Sequence, residues 1–281
     1  MKMKNKVKRK ILFWGFIILS LILIAIFADV ITTHNPRLAN LDNKLLPPCS
    51  EYLLGTDHMG RCILCRIIYG ARISLLVAGI VVSITFTLGT TIGIISGYYG
   101  GIIDNILMRI VDVFLAFPSF LFTLSFVGIC GGGIKNLVIA LSIFGWMYYA
   151  RIVRGEVLVI KEKEFVKAIK GMGVGNIYIL FHHILPNILG PAIVIATMDI
   201  GGIILSTSGL SFLGVGIHPP TPEWGYMLNN GKVYLSSNPN LIIFPGIAIV
   251  VTILAFNFLG DNTKDYIDVN ESKYLKIGSV N

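Results

Sequence analysis

Six long apolar stretches separated by polar segments dominate the chain, at 11–31, 74–97, 103–128, 136–155, 188–212 and 241–260. A helix needs roughly 20 apolar residues to cross a hydrocarbon core of about 30 Å. The pattern therefore predicts six transmembrane helices and an all-α polytopic membrane protein. The third and fifth stretches carry charge, and the third is interrupted by Pro118. In the second, Gly89, Gly93 and Gly97 recur every four residues. That spacing puts three positions without side chains on one helix face, where another backbone can approach closely.

Composition agrees with this pattern. Only 14% of the 281 residues are charged and 54% are hydrophobic, with a mean hydropathy of +0.78. Soluble domains carry about 25% charged residues, so a bilayer, not a single core, is the expected solvent. The net charge of +8 does not predict nucleic-acid binding, because basic residues flank apolar runs and are not interleaved with aromatics. Lys2, Lys4, Lys6, Lys8, Arg9 and Lys10 precede the first apolar run, and Ala28-Asp29-Val30 after it makes a poor cleavage site. An uncleaved first span is expected, not a signal peptide.

Basic residues near span ends set orientation. With the amino terminus inside, segments 1–10, 98–102, 151–187 and 261–281 hold 15 Lys and Arg, while 32–73, 129–135 and 213–240 hold seven. Both termini are thus expected in the cytoplasm. The longest outer segment has 42 residues, too few for a domain that captures a scarce solute alone.

Ionisable residues inside spans are costly and suggest roles. Arg109 and Asp112, three residues apart, share a helix face; they read as a local ion pair with Arg109 snorkelling, the alternative being a polar lining on a transport path. Asp199 sits mid-span with no basic residue within one turn, so it is expected to face protein or a path.

The inner segment 151–187 carries the most information. Phe165, Ala168, Ile169 and Met172 fall at i, i+3, i+4 and i+7, opposite Lys163, Lys167 and Lys170. This periodicity predicts a short amphipathic helix, ended by Gly171, Gly173 and Gly175. Such a helix can lie on a membrane surface or dock in a partner's groove, and periodicity alone leaves both open.

EFVKAIKGMG (164–173) and HHILPN (182–187) resemble the EAA loop of binding-protein-dependent ABC importer permeases. LLGTDHMGRCILCRIIYGARISL (53–75) is similar to the GTDxxGRD segment of the dipeptide, oligopeptide and nickel permeases. GLSFLGVGIHPPTPEWGYML (209–228) is similar to their signature after the fifth span, and RIVDVFLAFPS (109–119) and FNFLGDNTKDYID (256–268) extend the likeness along most of the chain. The resemblance implies a MetI-like permease fold with a tail, first span and outer segment over 1–73. It further implies a five-helix core over 74–262 with coupling loop 156–187, and a cytoplasmic tail over 263–281. It implies that Glu164, Phe165, Ala168, Ile169, Met172 and Gly173 couple to an ATPase. The implied partners are a second homologous permease, two ABC ATPase subunits, an extracytoplasmic solute-binding protein and the bilayer of a prokaryotic cytoplasmic membrane, with no cofactor. Segments 126–140, 163–166 and 198–202 look closer to nickel than to peptide permeases.

The chain departs from that family where Lys167 stands for the Glu of Glu-Ala-Ala, and where Cys62 and Cys65 stand for the Asp and Ser of GRDxxSR. The two cysteines read as neutral replacements, with metal ligation or a redox pair as the alternative. His58, His218, His182 and His183 read as parts of motifs and not as ligands. A phosphate-binding loop is missing: Gly231-Lys232 is followed by Val233, and Tyr226 stands where the first glycine is needed. Ser211 has no histidine in a facing span to activate it. The chain is therefore expected not to be an enzyme. The remaining alternative class is an ion-coupled transporter using Asp199 and Asp112, although the inverted repeat common in such proteins is not visible.

Overall fold

The structure is a computed structural model that describes residues 2–278, with side chains described for 5–267. The end of the expected cytoplasmic tail, 279–281, lies outside the described residues. We label the principal helices α1 (Lys2–Ile26), α2 (Ile63–Tyr99), α3 (Gly101–Leu115), α4 (Ser119–Cys130), α5 (Ile134–Lys161), α6 (Glu164–Gly171), α7 (Leu185–Phe212), α8 (Trp224–Gly231) and α9 (Asn240–Gly278). A short helix (Asn176–Ile179) and a π turn (Leu180–Ile184) lead into α7, so one helical run covers 176–212. Among the described residues five helices are long and apolar enough to span a membrane, and α3 with α4 passes the same test only as a pair, bent by 77°. Pro118, just before α4, accounts for the bend: it lacks an N–H and clashes with the preceding turn.

Two spans start earlier than the apolar pattern predicts. α2 begins at Ile63, not 74, and the fifth span begins near Asn176, not 188. At the first, Arg66 is polar but wholly buried, because Asp57 and Pro36 satisfy it. At the second, the run enters through the π turn at Leu180–Ile184, which ends just ahead of Pro186 and changes the backbone pairing where proline lacks an N–H.

The glycine stripe packs as its spacing predicts. A Cβ on Gly89 would lie 2.4 Å from the Trp146 carbonyl oxygen, and one on Gly93 would lie 2.7 Å from that of Ala150; on Gly97 it would meet Val157 at 2.8 Å. All three neighbours belong to α5, so α2 and α5 meet backbone to backbone. Replacing Gly93 by Leu is expected to destabilise the bundle by about 1–3 kcal/mol through overpacking. Gly79→Ala on the same helix, with nothing within 4 Å of the added carbon, should not lower stability and should raise it by up to about 1 kcal/mol. Thermal unfolding of the two variants in detergent checks the contrast.

α1 lies at the edge. Ile18 packs with Ala255 and Phe256 of α9, and Trp14 stacks on Phe258 at 4.8 Å. Large apolar side chains such as Leu12, Phe16, Leu76, Ile106 and Val250 face outward, as expected where lipid replaces water.

Candidate functional site

The two carboxylates of α3, Asp104 and Asp112, find partners on α5 and not on their own helix. Arg154 donates to both oxygens of Asp104, at 2.5 and 2.6 Å, and Ser96 of α2 also donates to Asp104. Asp112 pairs with Arg151. This corrects the expected Arg109–Asp112 pair: a guanidinium on the neighbouring helix competes better than one a single turn away. Arg109 itself is exposed.

Asp199 of α7 accepts a hydrogen bond from the buried Tyr149 hydroxyl of α5 at 2.9 Å. Its side chain lines a cleft of about 570 Å³ between α4, α5, α7 and α9, together with Ser119, Thr123, Tyr148, Ser206 and Asn257. Cavities of roughly 300–1,000 Å³ are the size that holds small ligands. Arg109 and Asp112 do not line this cleft. Tyr149 was missed by sequence reasoning; a tyrosine pair inside an apolar span was its only signal.

The predicted amphipathic helix exists as α6, and Gly173 follows it with φ +81°, the left-handed geometry of a helix stop. An eight-residue helix is too short to be stable alone. Val166 anchors it in a cluster with Ile160, Ile179 and Ile184, and Ile169 packs against the same cluster. Ile169 therefore faces back toward the bundle, a correction to the four-residue apolar face. Phe165, Ala168 and Met172 remain exposed, Met172 at 72%, and Glu164 is exposed in the first turn, where a carboxylate complements the helix dipole. Lys167 pairs with Glu162 at 2.8 Å. The Lys167 ammonium holds the Glu162 carboxyl below its usual range. The replacement of the family's Glu by Lys thus has a local counter-charge.

The two other signature segments are architectural. Asp57 accepts from the backbone N–H of Met59 (2.8 Å) and Arg61 (3.0 Å) and from Arg61 Nε (2.7 Å), with Arg66 Nε at 3.5 Å. Trp224 is buried against Gly70 of α2 and donates its Nε1–H to the Ile67 carbonyl at 2.9 Å. Glu223 caps α8 by accepting from the Gly225 and Tyr226 amides, both at 2.8 Å. Burial pushes the Glu223 carboxyl above its ordinary range, against the pull of those two amides.

Comparison with known proteins resolves the class. Residues 89–270 match the family described as the binding-protein-dependent transport system inner membrane component. The chain belongs to that family. It is 44% identical over 94% of its length, and 88% of the relative's, to a dipeptide transport system permease protein of Alkalihalophilus pseudofirmus. It is 41% identical to a glutathione transport system permease protein of Pectobacterium atrosepticum, over 90% of this chain and 85% of that one. With a nickel transport system permease protein of Escherichia coli it shares 36%, over 89% and 92%. A solved inward-facing structure of the MetNI methionine ABC transporter superposes with a TM-score of 0.60 over 73% of this chain and 97% of that one, at 19% identity. The likeness gives the MetI-like fold. The chain is a multi-pass permease subunit of an ABC importer, and the ion-coupled transporter is set aside.

Proposed function

We propose that the chain forms one half of a translocation path, the other half coming from a homologous permease, and that two ATPase subunits drive it through α6. The observation that carries this reading is α6 itself: it is anchored through Val166 and presents Phe165, Ala168 and Met172 outward. Glu164 and Gly173 then set its start and stop. Lysine and arginine bias supports α6 and both termini in the cytoplasm, with a solute-binding protein delivering cargo at the opposite face. Each ligand shifts the inward–outward equilibrium only by its differential affinity for the two states.

The cleft is the proposed half-path, with Asp199 its charged group; Asp112 instead pairs with Arg151. A carboxylate there suits cargo that carries positive charge. Nickel, as ion or chelate, is the first reading, supported by segments 126–140, 163–166 and 198–202. Short peptides are the second, supported by the higher identity to the dipeptide and glutathione relatives. Asp199→Leu should reduce uptake at least about tenfold, while Asp199→Asn, which keeps the bond to Tyr149, should lose less. Uptake of labelled nickel against labelled dipeptide in a deletion strain complemented with each variant tests both points. Unchanged uptake in Asp199→Leu would remove Asp199 from the path.

A further inference from the structure

The segment between α1 and α2 folds back on the first turn of α2. Arg66, buried in that turn, donates from Nη1 to the Pro36 carbonyl at 2.9 Å and so holds residues near Pro36 against the helix start. This brings His34 beside two cysteines about thirty positions further along the chain. The His34 ring stacks on Tyr52 at 4.7 Å, which fixes its orientation. One ligand atom each from His34, Cys62 and Cys65 lies within 4.8 Å of the other two. Both thiols are buried, and His34 is half-buried, so an ion would have a route in and a site shielded from bulk water.

We propose that His34, Cys62 and Cys65 form a binding site for a thiophilic metal ion, Zn²⁺ or Cu⁺, separate from the transport cleft. Two sulfurs and an imidazole select soft or borderline ions and reject Mg²⁺ and Ca²⁺. Zn–S bonds of about 2.3 Å put tetrahedral ligands roughly 3.5 Å apart. Closing from 4.8 Å needs only side-chain rotation of about an ångström. One imidazole nitrogen lies near the thiols, and each ring nitrogen has an oxygen beside it, so the one that does not ligate keeps a partner: Thr33 Oγ1 lies 2.9 Å from Nδ1, and Glu51 Oε1 lies 3.7 Å from Nε2. An oxygen partner on the second nitrogen is the usual arrangement of a ligating histidine. Three protein ligands leave a fourth position for water.

The site sits at the far end of α2 from α6. Tyr98, near the other end of that helix, bonds Asn176 close to α6 at 2.8 Å, and 37 residues of helix measure about 55 Å. A bound ion would clamp the outer segment onto α2, a role independent of ATPase docking.

The test uses the full-length permease in detergent with a non-thiol reductant, titrated with Co²⁺ as a spectroscopic probe. One equivalent should bind with thiolate-to-cobalt charge-transfer absorption. Displacement by Zn²⁺ or by Cu⁺ then identifies the preferred ion. His34→Ala and Cys65→Ser should weaken binding more than 100-fold, beyond the roughly 10–100-fold effect of altering an outer-shell partner. Cys62→Ser should do the same with α2 intact, because Cys62 is its N-cap, accepting from the Cys65 amide at 3.4 Å, and serine caps well. Cys49→Ser, outside the cluster, should bind normally. Absence of the charge-transfer band, an undiminished band in Cys65→Ser, or a Cys62–Cys65 disulfide in membranes alkylated on isolation would overturn the proposal.

Discussion

Uptake should fall below detection when Ala168 and Met172 are both replaced by glutamate, while the permease still accumulates, folded, in the membrane. Both side chains are exposed on α6, and surface substitutions away from packed features usually change stability by no more than about 0.5 kcal/mol. In an apolar docking face the same carboxylates would be desolvated without partners. An uncompensated buried charge costs about 3–5 kcal/mol, a weakening of roughly 10²–10⁴-fold in affinity. The ATPase should therefore fail to co-purify. Val166→Glu gives the opposite failure, since Val166 is buried in the cluster that holds α6: the permease itself should be lost. Transport assays, with membrane abundance measured in parallel, separate the two.

Asp57→Ala is expected to destabilise the end of the bundle around the start of α2 by about 3–5 kcal/mol, the cost of breaking a buried ion pair. Arg61 and Arg66 are 4% and 2% exposed in their side chains, and Asp57 lies beside both. Without the carboxylate two guanidiniums remain buried, and the amides of Met59 and Arg61 lose their acceptor. Asp57→Asn should be milder, because its carbonyl oxygen can still accept from those amides. Thermal unfolding in detergent should rank wild type above Asp57→Asn and Asp57→Ala last. Equal midpoints would mean that the GTDxxGRD segment does not act as a structural clasp.

The membrane class and the set of spans were legible in hydropathy, because a bilayer imposes length and polarity on each crossing helix. The break at Pro118 was legible too, since proline acts locally. What the chain does at long range was not. Local spacing paired Asp112 with Arg109, yet Arg151 lies 39 positions away and takes the carboxylate. Polar residues hid the true start of α2, because nothing local reveals that Asp57 will neutralise Arg66. Periodicity found α6 but assigned Ile169 to its outer face; the cluster around Val166 rotates that residue inward. Asp199 was visible as a buried charge, whereas its partner Tyr149 came only with the packing of α5 against α7.

If α6 delivers the motor's motion to the bundle, it must touch the ATPase. The most direct measurement places a cysteine at position 168 (Ala168→Cys) and applies a short bifunctional thiol crosslinker to the assembled importer, whose ATPase carries cysteines lining its surface groove. A permease–ATPase adduct should form, with a yield that changes when ATP is added. An adduct absent from an intact, transport-competent complex would contradict that contact.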